Sequence, residues 1–541
     1  MLTEKQLLDG IDALTLDELV GQVLNYEFNE RRHKPEWIEQ VIRETMPGSI
    51  YYGNESDGFC ETIRGWQKKY CKTPTMYVAD VENGPNGCVG GAEELPKPMA
   101  WGAVDDPDLI ERAHHATAQI GRKHMRHLAL APVVDINYNF NNSVVNTRAV
   151  SDDPDLVIRT CLAAVRGFQK DNLMAACCKH FPGDGVDQRN QHFLTSVNSL
   201  SQEEWMNTYG RVYKAMIDEG VMSIMVAHIA LPAFDEKVND ILGYPPATLS
   251  KNLMTGLLKG KLGFEGCIVS DAMSMIGACA MVKADRLAVE YLKAGGDLIL
   301  FALPSDFHHI KAAVETGELP LERLKDAVLR IWRMKNKLGI FGEEEQIQEA
   351  LAKANPEAEI QELSREIAER SVTVIRNAEG LFPLTDVKPG SKFLQVVIKL
   401  ADFKHPEDHK MTVVEDELRA RGMEVTTLIN PKHYDVKDAC EKYDVVLLNV
   451  QINAFTGGTF RLGWDQVMAL WRGYLLQHPK LIFASFSDPY KLYDYPFAAT
   501  YINVYSESPA SQRAYVKTLF GEIEPLGKSP VALEGFFDRQ V

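Results

Sequence analysis

The chain is short of several things, and each shortage removes a class of function. Nine cysteines in 541 residues form no CxxC pair and no zinc-finger spacing, so neither a disulfide framework nor a structural zinc site is encoded. Most of them sit inside apolar runs, as in Ala175-Ala176-Cys177-Cys178, and are expected to be reduced, buried thiols. Basic residues are outnumbered, with 58 Lys and Arg against 75 Asp and Glu and a net charge of −17. With no long basic run, a nucleic-acid partner is excluded, because binding to a phosphate backbone draws on clustered cations. The acidity is expected to serve solubility. No apolar run is long enough to cross a bilayer, and the opening Met1-Leu2-Thr3-Glu4-Lys5 shows neither the basic segment nor the cleavage site of a secretory signal. A cytoplasmic protein with no membrane partner is the expectation. No Rossmann-type glycine turn, P-loop, HExxH, strand-end HxH or GxSxG elbow occurs, so no cofactor or metal is implied.

What is present is globular: 45% hydrophobic and 25% charged residues over 541 positions suffice for two buried cores. After an amphipathic helix at Leu16 to Asn25, short apolar runs alternate with helical patterns. The expected strands are Gly48 to Tyr52, Thr75 to Ala79, Leu128 to Ile136, Leu173 to Lys179, Val221 to His228, Cys267 to Ser270 and Asp297 to Ala302. Helices lie between them, at Asp108 to Arg126, Asp155 to Asp171, Gln202 to Glu219, Lys251 to Leu262 and Asp285 to Ala294. Alternation of this kind implies parallel pairing with helices outside, and about eight units fit a (β/α)₈ TIM-type barrel over residues 1–342. The helix Leu321 to Leu338 and the glycines Gly339 and Gly342 close it. Residues 343–369, rich in Ala, Glu, Gln and Leu, read as a helical linker. Six further strands, Ser371 to Ile375, Phe393 to Ile398, Val425 to Ile429, Val445 to Val450, Leu481 to Ser485 and Ala499 to Val504, make residues 370–541 a second α/β sandwich domain with a mostly parallel sheet. Its polar loop Gln451 to Trp464, with Gly457, Gly458 and Arg461, is long enough to reach outward, or is an ordinary strand-to-helix connection.

The polar residues fall in a pattern. Asp80, Asp135, Lys179 with His180, His228 and Asp271 each close an apolar run. In a parallel barrel all such ends open on one face, so they would converge in one pocket. Singly, each has a plain explanation: an Asp can cap the next helix, a Lys can snorkel, a His can be a satisfied core imidazole. Together they are hard to obtain from capping, which needs neither cations nor paired donors. His114, His115, His124 and His127 lie on a helix expected to face solvent and carry no role. One carboxylate free to act as nucleophile, one histidine on a loop able to move protons and several donors describe a pocket for sugar chemistry.

Lys179-His180-Phe181-Pro182-Gly183-Asp184-Gly185 with His192, and Ile268-Val269-Ser270-Asp271-Ala272-Met273, resemble the two signature segments of glycoside hydrolase family 3, in its β-N-acetylglucosaminidase branch. Leu128 to Asn137, Asn146-Thr147-Arg148, Pro246 to Ser250 and Leu262 to Gly266 are similar as well. So are Ser371 to Asn377, Leu381 to Leu384 and Gly527 to Pro530. The resemblance implies that Asp271 is the nucleophile, that His192 is the acid/base, and that Asp80, Arg148, Lys179 and His180 bind the innermost sugar; His228, from its place at a strand end, is expected to bind substrate as well. It implies a small glycoside substrate, such as a short oligosaccharide or cell-wall fragment, and net retention, because two displacements each invert the anomeric centre.

The sequence departs from the family pattern at two positions. Asn190 stands where the family has an aspartate two residues before the histidine, and Cys88 stands where an arginine often follows eight residues after Asp80. Three accounts of Asn190 are open: an acid/base-impaired variant that traps substrate, which is the expectation, an enzyme using Asp187 or Asp184 instead, or a chain that binds sugar without cleaving it. The functions carried forward are an exo-β-N-acetylglucosaminidase, a β-glucosidase or retaining phosphorylase on the same scaffold, and a non-catalytic sugar-binding protein.

Overall fold

A computed structural model of the protein describes residues 1–400, 410–453, 462–533 and 535. They fall into two compact units. The first comprises Met1–Glu93, Pro107–Asn142 and Val157–Ile360, the second Glu94–Asp106, Ser143–Leu156 and Gln361–Val541.

The first unit is the TIM-type barrel. Seven strands, Asn25–Glu27, Ser49–Tyr51, Met76–Ala79, Leu128–Ala129, Ala175–Phe181, Ser223–Val226 and Cys267–Ser270, pair in chain order, each parallel to the next. The eighth stave, around Leu298 and Ile299, closes the ring with parallel bridges to Val269 on one side and Leu24 on the other. Ser270 N donates to Leu298 O at 2.9 Å and Ile299 N to Val23 O at 2.9 Å. The central staves read as continuous apolar runs because, as in parallel sheets generally, both faces are covered. Every residue of Met76–Ala79, Ala175–Phe181, Ser223–Val226 and Cys267–Ser270 is buried.

Two staves differ from the sequence expectation. Asn25–Glu27 is a strand where the helix was expected to run on to Asn25. It has no apolar run to announce it, and its buried Asn25 is anchored by Nδ2 donating to Ser49 Oγ at 2.9 Å. The run Leu128 to Ile136 pairs regularly only at Leu128–Ala129, since Pro132 has no N–H to offer the ladder. It continues irregularly through the Val133–Lys179 bridge, which leaves Asp135 beside the end of the next strand.

The histidines expected to face solvent are divided. On the helix Pro107–Lys123 the buried stripe runs through Ile110, Ala113, His114, Thr117, Ala118 and Gly121, a helical repeat that takes His114 inward. Its Nδ1 donates to Ile110 O at 2.7 Å, and burial pushes its pKa down to about 4. His127 lies beyond the helix end, stacked on Tyr77 with its Nδ1 accepting from Tyr77 N at 3.0 Å. Both are core imidazoles. His115 and His124 keep part of their surface in solvent.

The second unit has a six-stranded sheet in the order Thr373–Asn377, Thr500–Asn503, Leu481–Ser485, Val445–Gln451, Lys392–Lys399, Glu424–Ile429. Only the first pair is antiparallel. Val397, Leu447, Ile482 and Ile502 pack under Leu418, Tyr515 and Leu519 in its core. Two short segments that the linear division puts in the barrel belong to this unit. Gly102 lies so close to Val150 that a Cβ would stand 2.4 Å from the Val150 carbonyl oxygen, and Ser151 Oγ donates to Pro530 O at 2.5 Å. Residues 454–461, most of the polar loop Gln451 to Trp464, lie outside the described residues. The linker region folds as the helices Glu344–Leu351 and Pro356–Ser371. All nine cysteines are free, six of them buried, while Cys440 is exposed. Among the described residues no helix is long and apolar enough to cross a membrane.

Candidate active site

Lys179 and His180 sit at the C-terminal end of a fully buried strand, and each is held by a carboxylate from another stave end, Lys179 from the end of Met76–Ala79 two staves away and His180 from the end of the adjoining stave. Lys179 Nζ lies 2.5 Å from Glu82 Oε1 and 3.7 Å from Asp80 Oδ1. His180 Nδ1 lies 2.7 Å from Asp135 Oδ2, and the His180 main-chain N–H donates to Asp135 Oδ1 at 3.1 Å. Because the carboxylate only accepts, the proton is on Nδ1 and Nε2 is the outward end of the ring. Glu82 escaped the sequence reading: it lies three residues past the strand end at Ala79, in Val81-Glu82-Asn83-Gly84, with no apolar run to mark it. Replacing Glu82 with Ala removes the nearer counter-charge of a buried lysine. Stability in urea is expected to fall by slightly less than the roughly 3–5 kcal/mol that orphaning a buried charge costs, because Asp80 remains.

The turn after this strand can be made only with glycine. Gly183 has φ +116° and Gly185 φ +105°, and a Cβ on Gly185 would stand 1.9 Å from Ile136 O, so both the conformation and the space demand its absence. Trp205 Nε1 donates to Pro182 O at 2.8 Å and the Tyr209 hydroxyl to Asp184 O at 2.6 Å, which fixes the base of the loop carrying His192. At the far end Asn190 Oδ1 accepts from both the main-chain N–H and Nδ1 of His192, at 3.0 and 2.7 Å. A main-chain N–H can only donate, so the amide must present its oxygen and cannot turn its NH₂ to the ring. His192 therefore carries its proton on Nδ1 and offers Nε2. The two alternative carboxylates are engaged elsewhere. Asp187 accepts from Arg189 Nε at 2.5 Å and Val197 N at 3.0 Å, and Asp184 Oδ1 accepts from Gly185 N and Asn142 Nδ2, both at 2.7 Å.

Asp271 follows the strand Cys267–Ser270 and is half-buried, reachable yet closely surrounded. It is no helix cap, since the next helix begins at Ile276 with Met275 before it. Burial pushes its carboxyl up, but the charges of His180 and His228, the Ala272 N–H and Lys179 together outweigh that and hold it below the usual carboxylate range. It is ionised at neutral pH. His228 has a different place from a direct sugar contact: Nε2 donates to Ala272 O and Nδ1 accepts from Thr248 Oγ1, both at 3.0 Å. Burial lowers its pKa. Its main-chain N–H donates to Gln191 Oε1 at 3.0 Å, so His228 ties the loop of His192 to the turn of Asp271. A second tie runs from Ile276 N to His192 O at 3.1 Å. At Gly277 a Cβ would meet Gln191 O at 2.4 Å and His228 Cβ at 2.9 Å, which is how tightly the two loops are seated. Among the described residues no cluster of His, Cys, Asp and Glu could hold a metal ion.

Residues 15–334 match the model of the glycosyl hydrolase family 3 N-terminal domain. The chain belongs to glycoside hydrolase family 3. A relative from Cellulomonas fimi, a β-N-acetylglucosaminidase/β-glucosidase, is 31% identical over 92% of this chain and 90% of its own length. The solved β-glucoside phosphorylase BglX bound to 2FGlc is similar with a TM-score of 0.88 at 28% identity, covering 98% of this chain and 96% of that one. A family 3 β-N-acetylglucosaminidase from Paenibacillus sp. str. FPU-7 is similar with a TM-score of 0.80 at 25% identity, covering 98% and 100%.

In this family 3 glycoside hydrolase, the structure brings Asp80, Lys179, His180, Asn190, His192, His228 and Asp271 onto the C-terminal end of one barrel and its loops. Arg148 is in the second unit, at the end of the turn Asn146–Arg148, where Nη1 donates to Val144 O at 3.1 Å. Cys88 is buried, its thiol within 3.5 Å of Pro85 O and its pKa pushed up to about 11 by burial. An inert core thiol is what this environment makes of it.

Proposed function

We propose that this family 3 enzyme is a retaining exo-β-N-acetylglucosaminidase acting on short β-linked oligosaccharides or cell-wall fragments. The observation that carries the reading is an ionised, half-buried carboxylate at Asp271, attended by His180 and Lys179, in a turn bonded to the loop of His192. Asp271 attacks the anomeric carbon and the leaving group takes the Nε2 proton of the His192 imidazolium, which is left neutral with its other proton on Nδ1. The same nitrogen then takes a proton from the acceptor as the glycosyl ester is broken, so configuration is retained. Asn190 orients the ring. Asp80, Lys179 and His180 hold the sugar, and His228 braces the two loops.

A second reading is phosphorolysis, and it is favoured by a specific feature. The His192–Asn190 pair contains no carboxylate, so a phosphate dianion approaching the glycosyl ester meets no like charge there; a solved neighbour is itself a β-glucoside phosphorylase. Two comparisons test both readings. The first sets kcat/KM on 4-nitrophenyl β-N-acetylglucosaminide against the β-glucoside: the N-acetyl substrate is expected to be preferred, and a preference for the glucoside overturns that part. The second follows products in phosphate and in phosphate-free buffer. Free sugar in both supports hydrolysis, whereas sugar 1-phosphate that rises with phosphate makes the enzyme a phosphorylase.

A further inference from the structure

Asp184 is a buried acid in the lysine-histidine loop that the proposed mechanism leaves without a task. Only 2% of its surface is accessible. Oδ1 accepts from Gly185 N and Asn142 Nδ2 at 2.7 Å, whereas Oδ2 is buried with no hydrogen-bond partner. A lone buried carboxylate oxygen without a donor is costly when charged and tolerable when protonated. Its own main-chain N–H donates at 2.8 Å to Asp135 Oδ1, the oxygen that also accepts from His180 N, while Asp135 Oδ2 meets His180 Nδ1 at 2.7 Å. Asp135 thus bridges His180 and the main chain of Asp184, and the Asp184 carboxyl feels the charges of both. The groups facing them are Asp135 and His180 from the staves, Asn142 from the preceding loop, Cys161 from the helix Pro154–Gln169, and Tyr209 and Tyr213 from the helix Tyr209–Asp218. Of these groups only His180 can carry a positive charge. Burial, with the charge of Asp135, pushes Asp184 up to about 7 against the pull of His180.

We propose that Asp184 is a positioning residue for His180. Protonated, it leaves Asp135 to hold the imidazole alone in its sugar-binding place; ionised, it puts a second negative charge beside that pair and draws the ring away from the sugar. This rests on the reading of His180 as a sugar-holding group. Loss of the proton is then felt mainly in ground-state binding, as a rise in KM.

The test is Asp184→Asn, which keeps the Oδ1 acceptor and cannot ionise. On the aryl glycoside that the enzyme cleaves best, kcat/KM of the native enzyme is expected to decline above a midpoint near pH 7, at least about fivefold by pH 8.5 and largely through KM. In Asp184→Asn that limb should vanish while the rate at pH 6 stays within about threefold of native. An unchanged alkaline limb in the variant overturns the proposal, as does a uniform loss of kcat at every pH, which is what a merely structural role would give. Asp184→Glu, which can still ionise, should keep a limb and serves if the amide does not fold. Thermal unfolding reads the same group without substrate. A carboxyl whose native pKa is raised binds an extra proton in the folded state, so stability should fall as pH rises from about 4 to 7 and level off beyond. That slope should be shallower in Asp184→Asn. A shallower slope with an unchanged kinetic limb means that Asp184 titrates without steering His180, and the proposal fails. If no glycoside is cleaved by the native enzyme while the slope is present, the functional reading has failed instead.

Discussion

Asp271→Asn is expected to lower kcat/KM on aryl glycosides by on the order of 10⁴-fold, as removal of a group at the centre of the chemistry does in other enzymes. The amide keeps the size of the side chain and can still accept from Ala272 N, which meets Asp271 Oδ1 at 2.8 Å, so the fold should be undisturbed and Tm nearly unchanged. What it loses is its negative charge and, in the proposed mechanism, the lone pair that forms the bond to the anomeric carbon. A 2-fluoro glycosyl donor with a good leaving group makes the distinction directly. In the native enzyme it should add one glycosyl mass, located by peptide mapping on the segment containing Asp271, and in Asp271→Asn it should add none. Labelling on another carboxylate would move the nucleophile. Failure to label in both the native chain and Asn190→Asp would favour a sugar-binding protein with a disabled centre.

The barrel was legible because its central staves are buried on both faces, so Met76–Ala79, Ala175–Phe181, Ser223–Val226 and Cys267–Ser270 appear as apolar runs ending in polar residues. The parts that did not read were those whose polar groups are satisfied only in three dimensions. Asn25–Glu27 pairs as a strand although its first residue is an asparagine, because Ser49 is across from it. His114 reads as solvent-facing until helix phase and Phe168, at 4.8 Å ring to ring, are known. Glu82 and Asp135, which hold Lys179 and His180, contact them across 97 and 45 residues of sequence. A periodicity argument sees strand ends, and it cannot see which carboxylate reaches which cation. The same limit hid the bonds of His228, whose position at a strand end suggested a ligand while its two nitrogens meet Ala272 O and Thr248 Oγ1. The excursions Glu94–Asp106 and Ser143–Leu156 into the second unit were hidden for a different reason. Such short segments carry no composition shift, and only close approaches such as Gly102 to Val150 reveal their allegiance.

Asn190→Asp is expected to raise turnover by at least about tenfold, and by up to the two to four orders of magnitude that an orienting carboxylate contributes beside a catalytic histidine. Orientation is not what the native chain lacks. Asn190 Oδ1 already accepts from both the N–H and Nδ1 of His192, so the correct tautomer is held and Nε2 is presented. In the proposed mechanism the missing ingredient is charge: an amide dipole does little to stabilise the imidazolium that donates to the leaving group, whereas a carboxylate at 2.7 Å does so directly. The gain should therefore depend on the leaving group. It should be smallest for 2,4-dinitrophenolate, which departs without a proton, larger for 4-nitrophenolate, and largest for a sugar alcohol. The same added charge should disfavour a phosphate acceptor, so that if sugar 1-phosphate is formed at all, its ratio to free sugar falls in the variant. An equal gain on all three leaving groups would mean that the aspartate repairs geometry rather than proton transfer, and an unchanged or lower rate would remove this account of Asn190 altogether.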